Sequence, residues 1–169
     1  METDLDSLAL TTVYALNGRT LATAESVTGG AIGEAITAIP GASKSFRGGI
    51  VAYASDLKVS LLDVPAGLIE SGGAVQADVA LAMATGVAHK LDSEFGLAVT
   101  GVAGPDWQDG KAPGTVFVAC VQRDHEGSVI DSAVEELHIN PMTLDPRGIR
   151  DEIRQETVAA ALELLLSFL

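Results

Sequence analysis

Two stretches of this chain, Phe95 to Val102 and Thr115 to Val121, are apolar at nearly every position for the length of a strand. A strand with one wet face alternates apolar and polar residues, whereas an unbroken apolar run belongs to a strand covered on both faces. Covering both faces requires helices above and below the sheet, and the rest of the chain supplies them. Residues 4–17 place Leu5, Leu8, Ala9, Thr12 and Val13 at helical spacing and stop at Asn17-Gly18. A short strand over 20–25 leads into Ser26-Val27-Thr28-Gly29-Gly30, and a second helix runs to about Ile39 before Pro40-Gly41.

Gly48 to Ala54 is a β-type run, Ser55 to Leu62 a short helix, and Gln76 to Leu91 an Ala-rich helix with Val79, Met83, Val87 and Leu91 on one face. Ser128 to Ile139 has room for another strand, and Ile149 to Phe168 reads as a closing amphipathic helix. The apolar fraction is 47% with only 4% aromatics, so small and branched side chains must fill the interior. The pattern predicts one domain over residues 1–169, an α/β chain folded as a three-layer α/β/α sandwich with a largely buried central sheet. It leaves the strand order open.

The formal net charge of −13 argues against nucleic acid, whose phosphates would be repelled over most of the surface. A small anionic molecule fits only where a site concentrates its own cations and N–H groups. Cys120 is the one cysteine, set in an apolar strand, so it reads as a core residue and no internal disulfide forms. The acidic start METDLDSLAL has no signal-peptide character, and the apolar close AAALELLLSFL is too short for a bilayer and broken by Glu163. A cytoplasmic protein without membrane contact is expected. The Leu-rich end serves either as an interface between copies in a homo-oligomer or as closure of the core.

Open α/β sheets bind ligands at the carboxyl ends of their strands, beside helix amino termini. Three segments qualify. In the first, Ser26, Thr28, Gly29 and Gly30 stand at a strand-to-helix junction, where free N–H groups can hold an oxyanion or a phosphate and where Ser26 or Thr28 can equally serve as a helix cap. In the second, Tyr53 ends a strand and Lys58 follows five residues later; a desolvated lysine can activate a serine, but a strand tyrosine and a solvated lysine look the same in sequence. The spacing is not that of a Tyr-x-x-x-Lys dehydrogenase pair, and no G-x-G-x-x-G follows the first strand. In the third, Thr100, Gly101 and Gly104, with Gly114-Thr115 beyond, form a turn-rich rim or simple loop punctuation.

Trp107 in the loop PDWQDGKAP covers a pocket or merely lies on the surface. His89, His125 and His138 lack ligand spacing, so no metal site is expected. Arg150 and Arg154 are four apart, on one face of the last helix, and either meet a phosphate or pair with Asp151 and Glu152; Arg147 stands just before them.

In order along the chain, TAESVTGG (23–30), IPGASKSFRGGIVAYASDLK (39–58), LLDVPAGLIESGGAV (61–75), VTGVAGPD (99–106), PGTVFVA (113–119) and GIRDEIRQETVAAAL (148–162) resemble the CinA carboxy-terminal domain family, which includes nicotinamide-nucleotide amidohydrolases. The resemblance implies hydrolysis of the carboxamide of nicotinamide mononucleotide to nicotinic acid mononucleotide and ammonia, with no metal or organic cofactor. It puts the nucleophile on Ser26, the base on Lys58 and an assisting hydroxyl on Tyr53, with N–H groups near Val27 to Gly30 facing the oxyanion and an acyl-enzyme resolved by water. Thr28, Gly29, Gly30, Thr100, Gly101, Gly104 and Thr115 would line the substrate. The glycine turn cannot easily serve both ends of the nucleotide, so the phosphate is expected on Arg150 or Arg154.

Several positions depart from the family pattern: Val27 for Cys, Tyr53-Ala54-Ser55 for Tyr-Ser-Asn, Gln76 for Ser, Gly148-Ile149-Arg150 for Gly-Asp-Arg, and Asp106-Trp107-Gln108-Asp109 for a glycine-rich tract. These touch the pocket lining and so the substrate's identity, not the trio. The nucleotide-pyrophosphatase domain fused to many members is not expected here, since the match starts about two helical turns into the chain. Two other readings compete: an amidase for a different carboxamide, and a catalytically silent ligand-binding or partner-interaction domain of the competence- or damage-inducible type.

Overall fold

The computed structural model describes residues 4–169, so the first three residues of the acidic amino-terminal stretch lie outside the described residues. In chain order the elements are α1 (Leu5–Leu16), β1 (Leu21–Glu25), α2 (Ala31–Thr37), β2 (Phe46–Val51), α3 (Ser55–Leu62), α4 (Ala66–Gly72), α5 (Ala77–Lys90), β3 (Phe95–Gly101), β4 (Thr115–Arg123), β5 (Val129–His138) and α6 (Pro146–Leu166). One sheet runs in the order β2-β1-β3-β4-β5. The first three strands are parallel, and β4 and β5 are added antiparallel.

Side chains alternate between two cores. Leu21, Phe95, Leu97, Val99, Val116 and Val118 face α1, α2 and α6. Ala22, Ala24, Ala98, Phe117 and Ala119 face α3, α4 and α5. This is the three-layer arrangement, and the unbroken apolar runs are its middle strands. The two edge strands are the exceptions to a buried sheet: no residue of β2 is buried, and Val129 and Ile130 lie exposed on β5.

The local signals explain most boundaries. Asp4 caps α1 by accepting the Asp6 N–H, and Asn17 ends it in the left-handed region at φ 47°. Asp145 accepts the Gly148 N–H and Pro146 opens α6, which therefore starts earlier than its apolar spacing suggests. The expected strand over Gly48 to Ala54 is instead Phe46–Val51, because the carbonyls of Ala52 and Tyr53 turn away to meet Lys58. The short α4, behind Pro65, has no counterpart in the sequence reading.

The topology positions the site. The chain leaves β1 through α2 to reach β2 on one side, then crosses the opposite face through α3, α4 and α5 to β3 on the other side of β1. The connections after β1 and β3 therefore diverge, and a crevice opens at their carboxyl ends.

That opposite layer is pressed close at Gly86 of α5, where a Cβ would overlap the Leu62 carbonyl at the end of α3. Gly86→Ala should thus destabilise the fold by about 2–3 kcal/mol despite alanine's better helix propensity. Equilibrium denaturation would show this as a lower midpoint at unchanged slope.

Candidate active site

A pocket of about 350 Å³ fills this crevice, and Ser26, Val27, Tyr53, Lys58, Thr100, Gly101, Gly104 and Arg150 line it together with Trp107. A larger groove between α6 and the β5 end is lined by Asp4, Asp6, His138, Glu152, Glu156 and Glu163 and has no serine, threonine, cysteine or lysine in its lining. Among the described residues no group of three or more His, Cys, Asp or Glu side chains is arranged to hold a metal ion. Among them, too, no helix is long and apolar enough to cross a membrane.

Lys58 is the centre of the pocket. It lies on α3 and is 1% exposed, although lysine is seldom buried unless paired. Its Nζ stands 2.8 Å from the Ser26 Oγ, 2.8 Å from the Ala52 carbonyl and 3.2 Å from the Tyr53 carbonyl. No carboxylate is among these partners, and burial lowers the amine's pKa from 10.5 to about 8. A neutral amine has two N–H donors and one lone pair. The two carbonyls can accept only from N–H, so they take both donors and leave the lone pair for the Ser26 hydroxyl. In that state Ser26 donates to Lys58, which is the arrangement needed to remove its proton.

Ser26 follows directly on β1, and its own N–H donates to the Val99 carbonyl at 3.2 Å, which ties the turn to β3. It is not a helix cap; α2 has Gly30 at that position, with no side-chain cap bond. The cap work is done by Glu25, a residue the sequence reading passed over. Its carboxylate is 2% exposed, and one oxygen accepts from the Thr28 hydroxyl and the Gly30 and Ile32 N–H groups at 2.6, 3.2 and 2.9 Å. The other oxygen accepts from the Gly33 N–H at 3.0 Å. A carboxylate closing an apolar strand just ahead of a glycine turn is the signal that would have found it.

The expectation that this helix end receives an oxyanion or phosphate is corrected by Glu25, whose negative charge already occupies it. Gly30 gives its N–H to Glu25 and Gly29 gives its own to the Ser26 carbonyl, so neither has a donor left for a ligand. Their value is conformational: φ is +60° at Gly29 and +110° at Gly30, which favours glycine. Thr28 is fully buried against Glu25, and Thr115 serves structurally, its carbonyl accepting the Val102 N–H. Two N–H groups of the turn, on Val27 and Thr28, have no acceptor among the described residues.

Thr100, Gly101 and Gly104 do stand in the pocket wall; the Thr100 hydroxyl donates to the Ala74 carbonyl at 2.9 Å. Tyr53 meets Lys58 through its backbone carbonyl, while its side chain is 60% exposed and its phenol oxygen lies 3.4 Å from an Arg150 nitrogen. Arg150 also donates to the Gly104 carbonyl at 2.6 Å, so it spans the pocket mouth. Arg154, one turn further on, lies outside the pocket and donates to the Thr28 carbonyl at 2.9 Å. The two arginines thus meet different segments, the loop after β3 and the turn after β1.

The model of the CinA C-terminal domain matches residues 6–169. A CinA-like protein of a Synechococcus species is 46% identical over 165 residues, covering 96% of this chain and 37% of that protein. A CinA-like protein of Gloeobacter violaceus is 44% identical, covering 96% and 36% respectively. The chain thus spans about a third of the length of these relatives. Among solved structures, the competence/damage inducible protein CihA from Agrobacterium tumefaciens superposes with a TM-score of 0.84 at 34% identity, covering 99% of this chain and 96% of that one. A CinA superfamily protein from Klebsiella pneumoniae gives 0.85 at 25% identity, covering 98% and 97%.

Glu25→Gln tests the carboxylate's structural role. The amide keeps one accepting oxygen but turns an NH₂ group toward buried N–H donors. The variant should lose about 1–3 kcal/mol of stability in denaturant titration. Stability equal to the parent's would show that the helix end does not depend on the charge.

Proposed function

We propose, from the premise that this chain belongs to the CinA C-terminal domain family, that it hydrolyses the carboxamide of nicotinamide mononucleotide with Ser26 as nucleophile and Lys58 as base. The observation that carries this reading is the buried Lys58 amine with its two donors on carbonyls and its third position on the Ser26 oxygen.

That geometry supports a reaction in two stages. Neutral Lys58 takes the Ser26 proton as Oγ bonds to the carboxamide carbon. Charge moves to the carbonyl oxygen, for which the Val27 and Thr28 N–H groups are the unclaimed donors. The Lys58 ammonium then returns its proton to the nitrogen as the C–N bond breaks, and ammonia leaves an acyl ester on Ser26. Water attacks the ester, giving its proton to Lys58, and Ser26 recovers its own as the acid departs. The net change is carboxamide plus water to carboxylic acid plus ammonia.

The substrate's remote end requires a cation, given the net charge of −13. In this reading Arg150 takes the phosphate in exchange for its contact with the Tyr53 phenol, and that phenol is freed to orient the nucleotide at the mouth. In this reading Lys58 moves the proton without the assistance that the resemblance implies for the Tyr53 hydroxyl, and Arg154 has no part in phosphate binding.

Ammonia release from nicotinamide mononucleotide tests the assignment. Ser26→Ala should reduce it by about three orders of magnitude or more with the fold intact. Binding of the nucleotide without ammonia release would favour the silent ligand-binding domain.

The pH dependence is set by Lys58. Its neutral form is the active one, so kcat/KM should be flat above a pKa of about 8 and fall about tenfold per pH unit below it. A profile flat from pH 6 to 10 would contradict a lysine base. Arg150→Ala should raise KM and change kcat far less, because a phosphate contact is equal in ground and transition states. An unchanged KM would place the phosphate elsewhere.

A further inference from the structure

We infer that Arg154 is a positioning residue that holds the Ser26–Gly30 turn in its reactive shape; the inference rests on the reading of Ser26 as a nucleophile. Arg154 belongs to α6, a 21-residue helix that packs with α1 and α2 against one face of the sheet. Its Nη2 donates to the Thr28 carbonyl at 2.9 Å, a contact between residues 126 positions apart. The same nitrogen lies over Gly29, where a Cβ would be 3.8 Å from it.

This contact is not an ordinary surface ion pair. The nearest carboxylate, Asp151, is 4.0 Å away, and the arginine side chain is 37% exposed. Nor does it satisfy an orphaned group, because the Thr28 carbonyl already accepts the Ala31 N–H at 3.2 Å. What the second donor adds is restraint. In a turn with consecutive glycines at φ +60° and +110° no Cβ restrains the peptide planes, so hydrogen bonds alone hold them and a further one tightens the turn. Glu25 holds the Thr28 side chain and Arg154 holds the Thr28 carbonyl, so the Thr28 backbone keeps one orientation. The free N–H groups of Val27 and Thr28 then have a fixed aim beside the nucleophile.

α6 therefore grips two parts of the site with residues one turn apart: Arg150 the loop after β3 and Arg154 the turn after β1. Arg150 faces the pocket and acts on binding, whereas Arg154 acts from behind the turn and changes the chemical step.

The test uses a small alkyl fluorophosphonate on the full chain, read by intact mass. The Ser26 oxygen bonds to phosphorus, the P–F bond breaks, fluoride leaves and the serine proton passes to Lys58. The phosphonyl oxygen needs the same N–H donors as a carboxamide oxyanion, but no nucleotide site is involved. Arg154→Met should slow labelling of Ser26 by about tenfold to a hundredfold, the scale on which small misplacements of reacting groups act. Arg154→Lys, which keeps one donor within reach, should recover part of that loss. Arg147→Ala, an exposed neighbour with no contact to the turn, should label at the parent's rate.

Melting temperature is recorded for each variant, and should Arg154→Met not fold, an intermediate rate for Arg154→Lys carries the same result. Labelling of Arg154→Met at the parent's rate, or of Arg154→Lys where only that variant folds, would overturn the positioning role while leaving Ser26 a nucleophile. A parent that is not labelled at Ser26 at all would overturn the nucleophile, and the positioning role with it.

Discussion

A lysine amine held out of water, without a carboxylate among its hydrogen-bond partners, is the constraint to which the rest of this molecule answers. Lys58 is 1% exposed, and its three hydrogen-bond positions are met by two carbonyls and one hydroxyl. The carbonyls come from the end of β2, which is why that strand gives up its pairing at Val51. The hydroxyl comes from the residue after β1, so two neighbouring strands must end at one level. Because the folded pKa is depressed to about 8, the unfolded chain binds more protons between about pH 8 and 10.5. Lys58 thus costs the fold about 3 kcal/mol below pH 8, and that cost is relieved as pH rises through the window. The two apolar cores offset it.

The second buried ionisable group of the site is structural. Glu25 sits one residue before Ser26, yet its oxygens are turned toward the start of α2 and accept from four donors. It makes the glycine turn rigid and occupies the helix end. The donors left beside Ser26 are then the two N–H groups of Val27 and Thr28, a smaller and better defined set than a bare helix terminus. In this strongly acidic protein the pocket that holds Ser26 presents Arg150 at its mouth, with Asp106 also in its lining.

The parts of the fold legible in the sequence were those governed by burial. Phe95 and Thr115 open strands where the apolar runs begin, and α3 spans Ser55–Leu62 as its spacing indicates. Strand order was not legible, since apolar runs look alike whether their neighbours are parallel or antiparallel. At the site, residue types could nominate Ser26, Tyr53 and Lys58, and the pocket does gather them. Sequence could not say which atom of Tyr53 meets Lys58, because a backbone carbonyl carries no residue signature. It could not separate Arg150 from Arg154 either: helical spacing puts both on one face, and only the loops they meet distinguish them. Glu25 escaped notice because a lone acidic residue after an apolar strand resembles a surface residue until the donors around it are counted.

The central claim is that the Lys58 amine is about half neutral near pH 8, so that it can take the Ser26 proton. Titrating protein labelled at the lysine side chains by heteronuclear NMR measures this directly, with Lys58→Met identifying the resonance. The account predicts that Lys58 titrates near pH 8, well below a solvated lysine. A Lys58 signal that stays protonated to about pH 10, as in a solvated side chain, would contradict it.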